Sequence, residues 1–266
     1  MEQQIHFCTT ADGARIAYAT VGQGPPLLKA ANWLSHLEFD WRSPIWRHLL
    51  AEFARDHTFI RYDERGNGLS DWNLPDLSFD AWVQDLESVV EAAGVDRFPL
   101  LGISQGGAVA IAYAARHPER VSDLILYGAY ARGWAKRESP EEIEQRQAAL
   151  TLVRLGWGKD NPAFRQMWTT LYAPDATQEQ AQSFNDLQRV STSPENAVRL
   201  MNEMGNIDVA ATHAGLGNKD EAFKWLDQAI DRRFGPMIYL KVNPIWDPLR
   251  SDPRFAERLR RVGLSP

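Results

Sequence analysis

The chain predicts an α/β fold built on a doubly wound, mostly parallel sheet, and three observations carry that expectation. Short apolar runs bounded by turn residues recur at 58–62, 98–103 and 121–127, each of a length that suits a buried strand. Stretches with helical spacing separate them, and strands alternating with helices at this interval call for right-handed crossovers and parallel pairing. The third observation is Gly102-Ile103-Ser104-Gln105-Gly106, set between an apolar strand-like run and the alanine-rich run 105–117. A serine in G-x-S-x-G between strand and helix sits on a tight turn, exposed at the end of the sheet.

Taken in chain order, residues 5–21 form two β-like runs around Asp12-Gly13, a hairpin signal. The Gly- and Pro-rich turn at 22–26 leads into a short strand, 27–30, and then an aromatic-rich loop over 32–41. A helix is expected over 45–55, and the strand 58–62 ends in a glycine loop, 63–70. Phe79, Trp82, Val83, Leu86, Val89, Val90 and Ala93 recur at helical spacing, with Ser78 as N-cap and Gly94 as the stop. The elbow strand and helix follow, then the strand 121–127.

Beyond that strand the pattern changes. Over 139–208, three or four helical stretches are divided at Pro140, Asn161-Pro162, Pro174 and Ser193-Pro194, so a helical lid over the sheet's mouth is expected. Trp157, Phe164, Trp168, Tyr172 and Phe184 then either line an apolar pocket or form helix-packing core. The expected division is a core over 1–138, a lid over 139–208 and a mainly helical tail over 209–266. In the tail, Phe223, Leu226 and Ile230 share one face of an amphipathic helix, 237–242 is β-like, and the arginines of a last helix, 255–262, read as a solvated face.

Composition bounds the function. Twenty-nine basic against 35 acidic residues give a net charge of −6, without the basic stripe of a nucleic-acid binder. A single cysteine, Cys8, excludes an intramolecular disulfide and suits a reducing, cytoplasmic setting. The first residues lack the basic and apolar regions of a secretory signal, and no apolar run approaches the ~20 residues of a membrane span. No histidine–carboxylate or cysteine cluster has metal-ligand spacing, and the serine motif lacks the lysine of a phosphate loop, so neither metal nor cofactor is expected.

Ser104 carries the chemistry. Its flanking glycines suit a turn too tight for side chains, and its place at a helix start offers backbone N–H groups to a developing oxyanion. A serine hydroxyl also needs a base. The histidines are His6, His36, His48, His57, His117 and His213; only the last two follow Ser104, and none follows His213.

Three segments together resemble the α/β-hydrolase fold over residues 5–208: Asn32-Trp33-Leu34-Ser35-His36, the loop Asp63-Glu64-Arg65-Gly66-Asn67-Gly68-Leu69-Ser70, and Gly102 to Gly107. The likeness is to the branch in which esterase-like domains are attached to bacterial signalling or regulatory proteins. It implies Ser104 as nucleophile and an oxyanion hole made by the backbone N–H groups of Gln105 and Trp33. It also implies an acid and then a histidine on strands after the lid. Here the sequence departs from the family. Residues 211–266 instead resemble the closing segment of a tetratricopeptide-type region, through Leu216-Gly217, Glu221-Ala222 and Ala229.

Losing the last two strands would leave the strand 121–127 with an open edge. The run 237–242 could pair there, bringing Asn243 or Asp247 near the acid position, and the edge is equally compatible with a homodimer. Two histidines stand as candidate bases: His36, in the oxyanion loop, and His213, which keeps the family's chain order. His117 reads as a helix end. The expected activity is that of a carboxylesterase-type serine hydrolase, taking small apolar esters through an acyl-Ser104 intermediate with an atypical or incomplete triad. The alternative is a non-catalytic, hydrolase-like module that binds a ligand or serves regulation.

Overall fold

The computed structural model describes residues 1–137, 139–209 and 247–265, together with Asp220, Phe223, Leu226 and Asp227. Met1–Ile207 form one compact unit and Asp208–Pro266 a second. In the first, β1 (Gln4–Thr9) and β2 (Arg15–Val21) make the antiparallel hairpin expected around Gly13, whose φ of 88° a side chain would oppose. β2 pairs antiparallel with β4 (Thr58–Tyr62), which runs parallel to β3 (Pro26–Lys29). β5 (Phe98–Ile103) and β6 (Val121–Tyr127) continue the parallel part, giving the order β1-β2-β4-β3-β5-β6.

This order fixes where a site can form. The chain leaves β3 toward β4 on one side and returns to β5 on the other, so the C-terminal ends of β3 and β5 open a crevice at a topological switch point. The Ala30 N–H donates to Leu101 O at 2.9 Å, holding the two strand ends together as they reach it.

The flanking helices follow their sequence signals. α1 (Leu37–Arg42) and α2 (Arg47–Phe53) precede β4, and α3 (Phe79–Ala93) runs from Ser78, whose Oγ accepts the Ala81 N–H, to Gly94 at φ 64°. α3 buries Trp82, Leu86 and Val89 completely. α1 replaces part of the loop expected over 32–41. His36 acts as its N-cap: Nδ1 accepts the Phe39 N–H at 3.3 Å, and Asp40 accepts the His36 N–H at 3.2 Å.

After β6 and α5 (Trp134–Arg137) come four helices in the region expected to be a lid: α6 (Pro140–Gly156), α7 (Pro162–Tyr172), α8 (Gln178–Ser191) and α9 (Pro194–Asn206). Ser139, Asn161, Thr177 and Ser193 cap them with side-chain oxygens, and Ser139 and Thr177 make full capping boxes. Val153, Trp157, Phe164, Trp168, Phe184, Leu187 and Ala197 pack as one core among them. The layer is pinned to the sheet's loops. Gly68 N–H donates to Ser191 O at 2.7 Å, and Glu203 accepts the Phe79 N–H at 2.8 Å. None of the described helices is long and apolar enough to cross a membrane.

In the second unit, α10 (Asp247–Arg250) and α11 (Pro253–Arg261) build a small core of Phe223, Leu226, Leu249, Phe255 and Leu259. Arg260 and Arg261 of α11 are exposed, as the solvated face expected from sequence has them, whereas Arg258 is half-buried. Arg258 pairs with Asp227, Arg254 with Asp252 at 2.9 Å, and both lie over the Phe223 ring. Acidic partners on the preceding segment recruit them. The tetratricopeptide-like positions Leu216, Gly217, Glu221, Ala222 and Ala229, the run 237–242 with Asn243, Ile230 and His213 all lie outside the described residues. β6 is the outermost described strand on its side, with Ile125, Leu126 and Tyr127 exposed.

Candidate active site

Ser104 is the sole non-glycine residue with positive φ among the described residues, at φ 52° and ψ −124°. Such a conformation costs a side-chain-bearing residue on the order of 1–3 kcal/mol and persists only where its surroundings impose it. They do so through small residues. A Cβ on Gly106 would come within 2.4 Å of Ala31 O, one on Gly107 within 2.2 Å of the Ala129 methyl, and one on Gly102 within 2.6 Å of Gly107 Cα. Ser104 N–H donates to Tyr127 O at 3.0 Å, tying the turn to the end of β6, and α4 (Gln105–Arg116) starts at the next residue.

The turn leaves Ser104 exposed to a cavity of about 240 Å³. Its walls are Trp33 from the loop after β3, Tyr130 and Trp134 from beyond β6, Arg146 from α6, Trp168 and Tyr172 from α7, and Met201 from α9. The aromatic set named from sequence thus divides: Trp168 and Tyr172 reach the cavity, while Trp157, Phe164 and Phe184 serve the helical core behind it. Trp33 joins both, stacking on Trp157 at 5.4 Å and meeting the Trp168 edge at 6.0 Å.

The floor beside Ser104 is a hydrogen-bonded bridge. Trp33 N–H donates to Gln105 Oε1 at 3.1 Å, and Gln105 Nε2 donates to Glu64 Oε2 at 3.0 Å. Asn67 Nδ2 donates to Glu64 Oε1 at 3.2 Å. Gln105, Glu64 and Asn67 are all buried. Burial pushes the Glu64 carboxyl up to about 8, against the opposing pull of the Gln105 hydrogen bond. The first helical N–H of α4, on Gln105, has no intrahelical acceptor and faces the same region by helix geometry.

Asp63 and Arg65 hold the loops that frame this floor, Arg65 through Asp85 and Asp12. Asp63 accepts from Ser35 Oγ at 2.8 Å, Leu37 N–H at 3.0 Å and Leu69 N–H at 2.9 Å, so one carboxylate joins the loop after β3 to the loop after β4. Behind them, Arg61 stands 3.5 Å from Asp40, whose carboxyl burial pushes up to about 7.

The described histidines are placed elsewhere. His36 caps α1 and lines a separate surface cleft with Phe39, Arg42 and Asp186, so the structure does not bring it to Ser104. The reason is local: its ring nitrogen is taken by a helix start. His117 Nε2 meets Glu87 at 2.9 Å and the ring lies against Tyr113. No described histidine lines the Ser104 cavity, and Ser104 Oγ has no hydrogen-bond partner among the described residues. Glu64 and Arg146 escaped sequence reasoning, because a lone glutamate in a glycine loop and an arginine on a polar helix both read as solvated. Only the nearness of Glu64 to the elbow motif in the fold marks it.

Comparison with known proteins agrees with this architecture. Residues 41–237 match the family model of the alpha/beta hydrolase fold. Among curated proteins, the chain is 31% identical over 135 residues to AB hydrolase superfamily protein YisY of Bacillus subtilis, covering 50% of this chain and 48% of that one. It is 32% identical over 124 residues to 2-hydroxymuconate semialdehyde hydrolase of a Pseudomonas strain, covering 46% and 38%. The matched stretch spans less than half the length of either curated relative. Among solved structures, an esterase from Exiguobacterium antarcticum superposes with a TM-score of 0.61 at 22% identity, covering 76% of this chain and 74% of that one. A hydrolase from Pseudomonas aeruginosa does so at 0.60 and 22%, covering 79% and 76%. With a family match over most of its length and a mostly parallel sheet to fit, the chain belongs to the α/β-hydrolase fold family.

Proposed function

We propose that this chain is a serine hydrolase of carboxylesterase type, acting on small apolar esters through an acyl-Ser104 intermediate. The observation that carries the reading is the strained Ser104 backbone at the start of α4, held by three close-packed glycines and opening into a walled cavity. A purely structural serine gains nothing from that strain. In this reading Ser104 Oγ attacks the ester carbonyl while the Gln105 N–H, and then the Trp33 N–H, receive the oxyanion. The serine proton passes to an imidazole, which returns it to the departing alcohol, and water then releases the acid. His213 is the proposed base, since it alone follows the lid and keeps the family's chain order. The cavity's aromatic and methionine walls favour an apolar acyl group. The printed name of one curated relative, 2-hydroxymuconate semialdehyde hydrolase, supports a hydrolytic activity.

A second reading, a hydrolase-like module that binds a ligand without turning it over, draws on the unpartnered Ser104 Oγ and on the lack of imidazole among the described residues of the cavity. Hydrolysis of a p-nitrophenyl acyl ester by the wild type, Ser104→Ala and His213→Ala separates the two. The hydrolase reading expects clear turnover, abolished in Ser104→Ala and lowered by about 10³-fold or more in His213→Ala. Equal background rates in all three would leave the binding module.

A further inference from the structure

We infer that the side chain of Gln105 is a positioning residue of the oxyanion hole, bracing the Trp33 backbone against Glu64 and yielding the Trp33 N–H to the substrate as negative charge develops. The inference rests on the acyl-enzyme reading above and assigns a role to a side chain whose backbone alone that reading uses.

The geometry has a direction. Gln105 can accept from Trp33 and donate to Glu64 only with its amide oriented as found, because the reverse would set its NH₂ against the Trp33 N–H. Glu64 is buried and charge-poor, so it holds the amide without placing a full negative charge beside a hole meant for an anion.

The exchange follows from acceptor strength. In the resting state the neutral amide oxygen of Gln105 satisfies a buried N–H that would otherwise be costly to leave unpaired. A developing alkoxide is a stronger acceptor than an amide, since hydrogen bonds to ionised groups are about twice as strong as neutral ones. The N–H therefore transfers in the transition state and not in the ground-state complex. An interaction realised only there acts on kcat and leaves KM almost alone.

The test uses the full chain and p-nitrophenyl acetate, with a fluorophosphonate probe of Ser104 as a second readout. Gln105→Leu is expected to lose about 10- to 100-fold in kcat with KM within about 3-fold. Glu64→Gln, whose amide oxygen still accepts from Gln105, should keep kcat within about 3-fold, while Glu64→Leu should follow Gln105→Leu. The double variant should be no slower than Gln105→Leu, as expected of residues acting through one bridge. Should Gln105→Leu fail to fold, the Glu64 pair carries the comparison. An active wild type with kcat unchanged or raised in Gln105→Leu, or equal losses in Glu64→Gln and Glu64→Leu, overturns the positioning role alone. A wild type that neither turns over nor labels overturns it together with the hydrolase reading.

Discussion

Arg65 forks onto Asp85 with neither side chain reaching solvent: Nε and Nη2 donate to Oδ1 at 2.9 and 2.8 Å, and the Arg65 N–H donates to Oδ2 at 3.0 Å. Asp12 takes the remaining side of the guanidinium at 2.7 Å from a half-exposed position. Losing Asp85 would leave a buried cation with one outer carboxylate, Asp12, and the Asp76 carbonyl. Asp85→Ala is therefore expected to destabilise the fold by about 3–5 kcal/mol, and Asp12→Ala by about 1 kcal/mol or less. Urea unfolding of the two variants measures both; equal losses would mean that the buried pair has no special weight.

The contact between the elbow and the loop after β3 is backbone against glycine. A methyl on Gly106 would stand 2.4 Å from Ala31 O, so Gly106→Ala must push that loop outward. Overpacking of this kind costs about 1–3 kcal/mol. The displaced segment carries Trp33, so ester turnover should fall more steeply than the melting temperature. A variant that melts lower but turns over normally would disconnect the loop from catalysis.

Stability should fall as pH rises from about 4.5 to 8. In the unfolded chain Glu64 ionises near its ordinary value of 4.5, whereas in the fold burial holds it protonated up to about 8, with Asp85, Asp63 and Lys29 as its charged neighbours. Between those values the unfolded state binds fewer protons, so rising pH favours unfolding. Asp40 adds the same trend from 3.8 to about 7. Glu64→Gln should flatten the decline. The check is thermal melting of both proteins across pH 5–8, and parallel curves would exclude Glu64 as the source.

His36→Ala should leave ester turnover within about 2-fold of wild type while costing about 1 kcal/mol, the usual weight of a helix cap. The expectation follows from Nδ1 accepting the Phe39 N–H and from a ring that faces another cleft. A collapse of turnover without loss of stability would restore His36 as the base.

Much of the fold was legible in the chain because its signals are local. Ser78 and Gly94 bound α3, prolines open α6, α7 and α9, and the G-x-S-x-G motif sits where a strand yields to a helix. The loop assigned to 32–41 hid a helix because its cap is a histidine, which is not among the residues that ordinarily mark a helix start. Arg258 read as solvated because its acidic partner, Asp227, lies 31 residues earlier, outside any helical spacing.

What the sequence determined by itself is the α/β alternation and the strand-to-helix turn that carries Ser104, since each depends on neighbouring residues and their periodicity; the family match runs on to residue 237, past the departure expected after 208. Tertiary structure alone decided which tryptophans wall the cavity, that His36 turns away from Ser104, and that Glu64 and Trp33 meet across the Gln105 amide. The last of these joins positions 72 and 41 residues apart in the chain. Such contacts exist only once β3, β4 and β5 lie side by side, because burial and register, not local spacing, bring their C-terminal loops to one crevice.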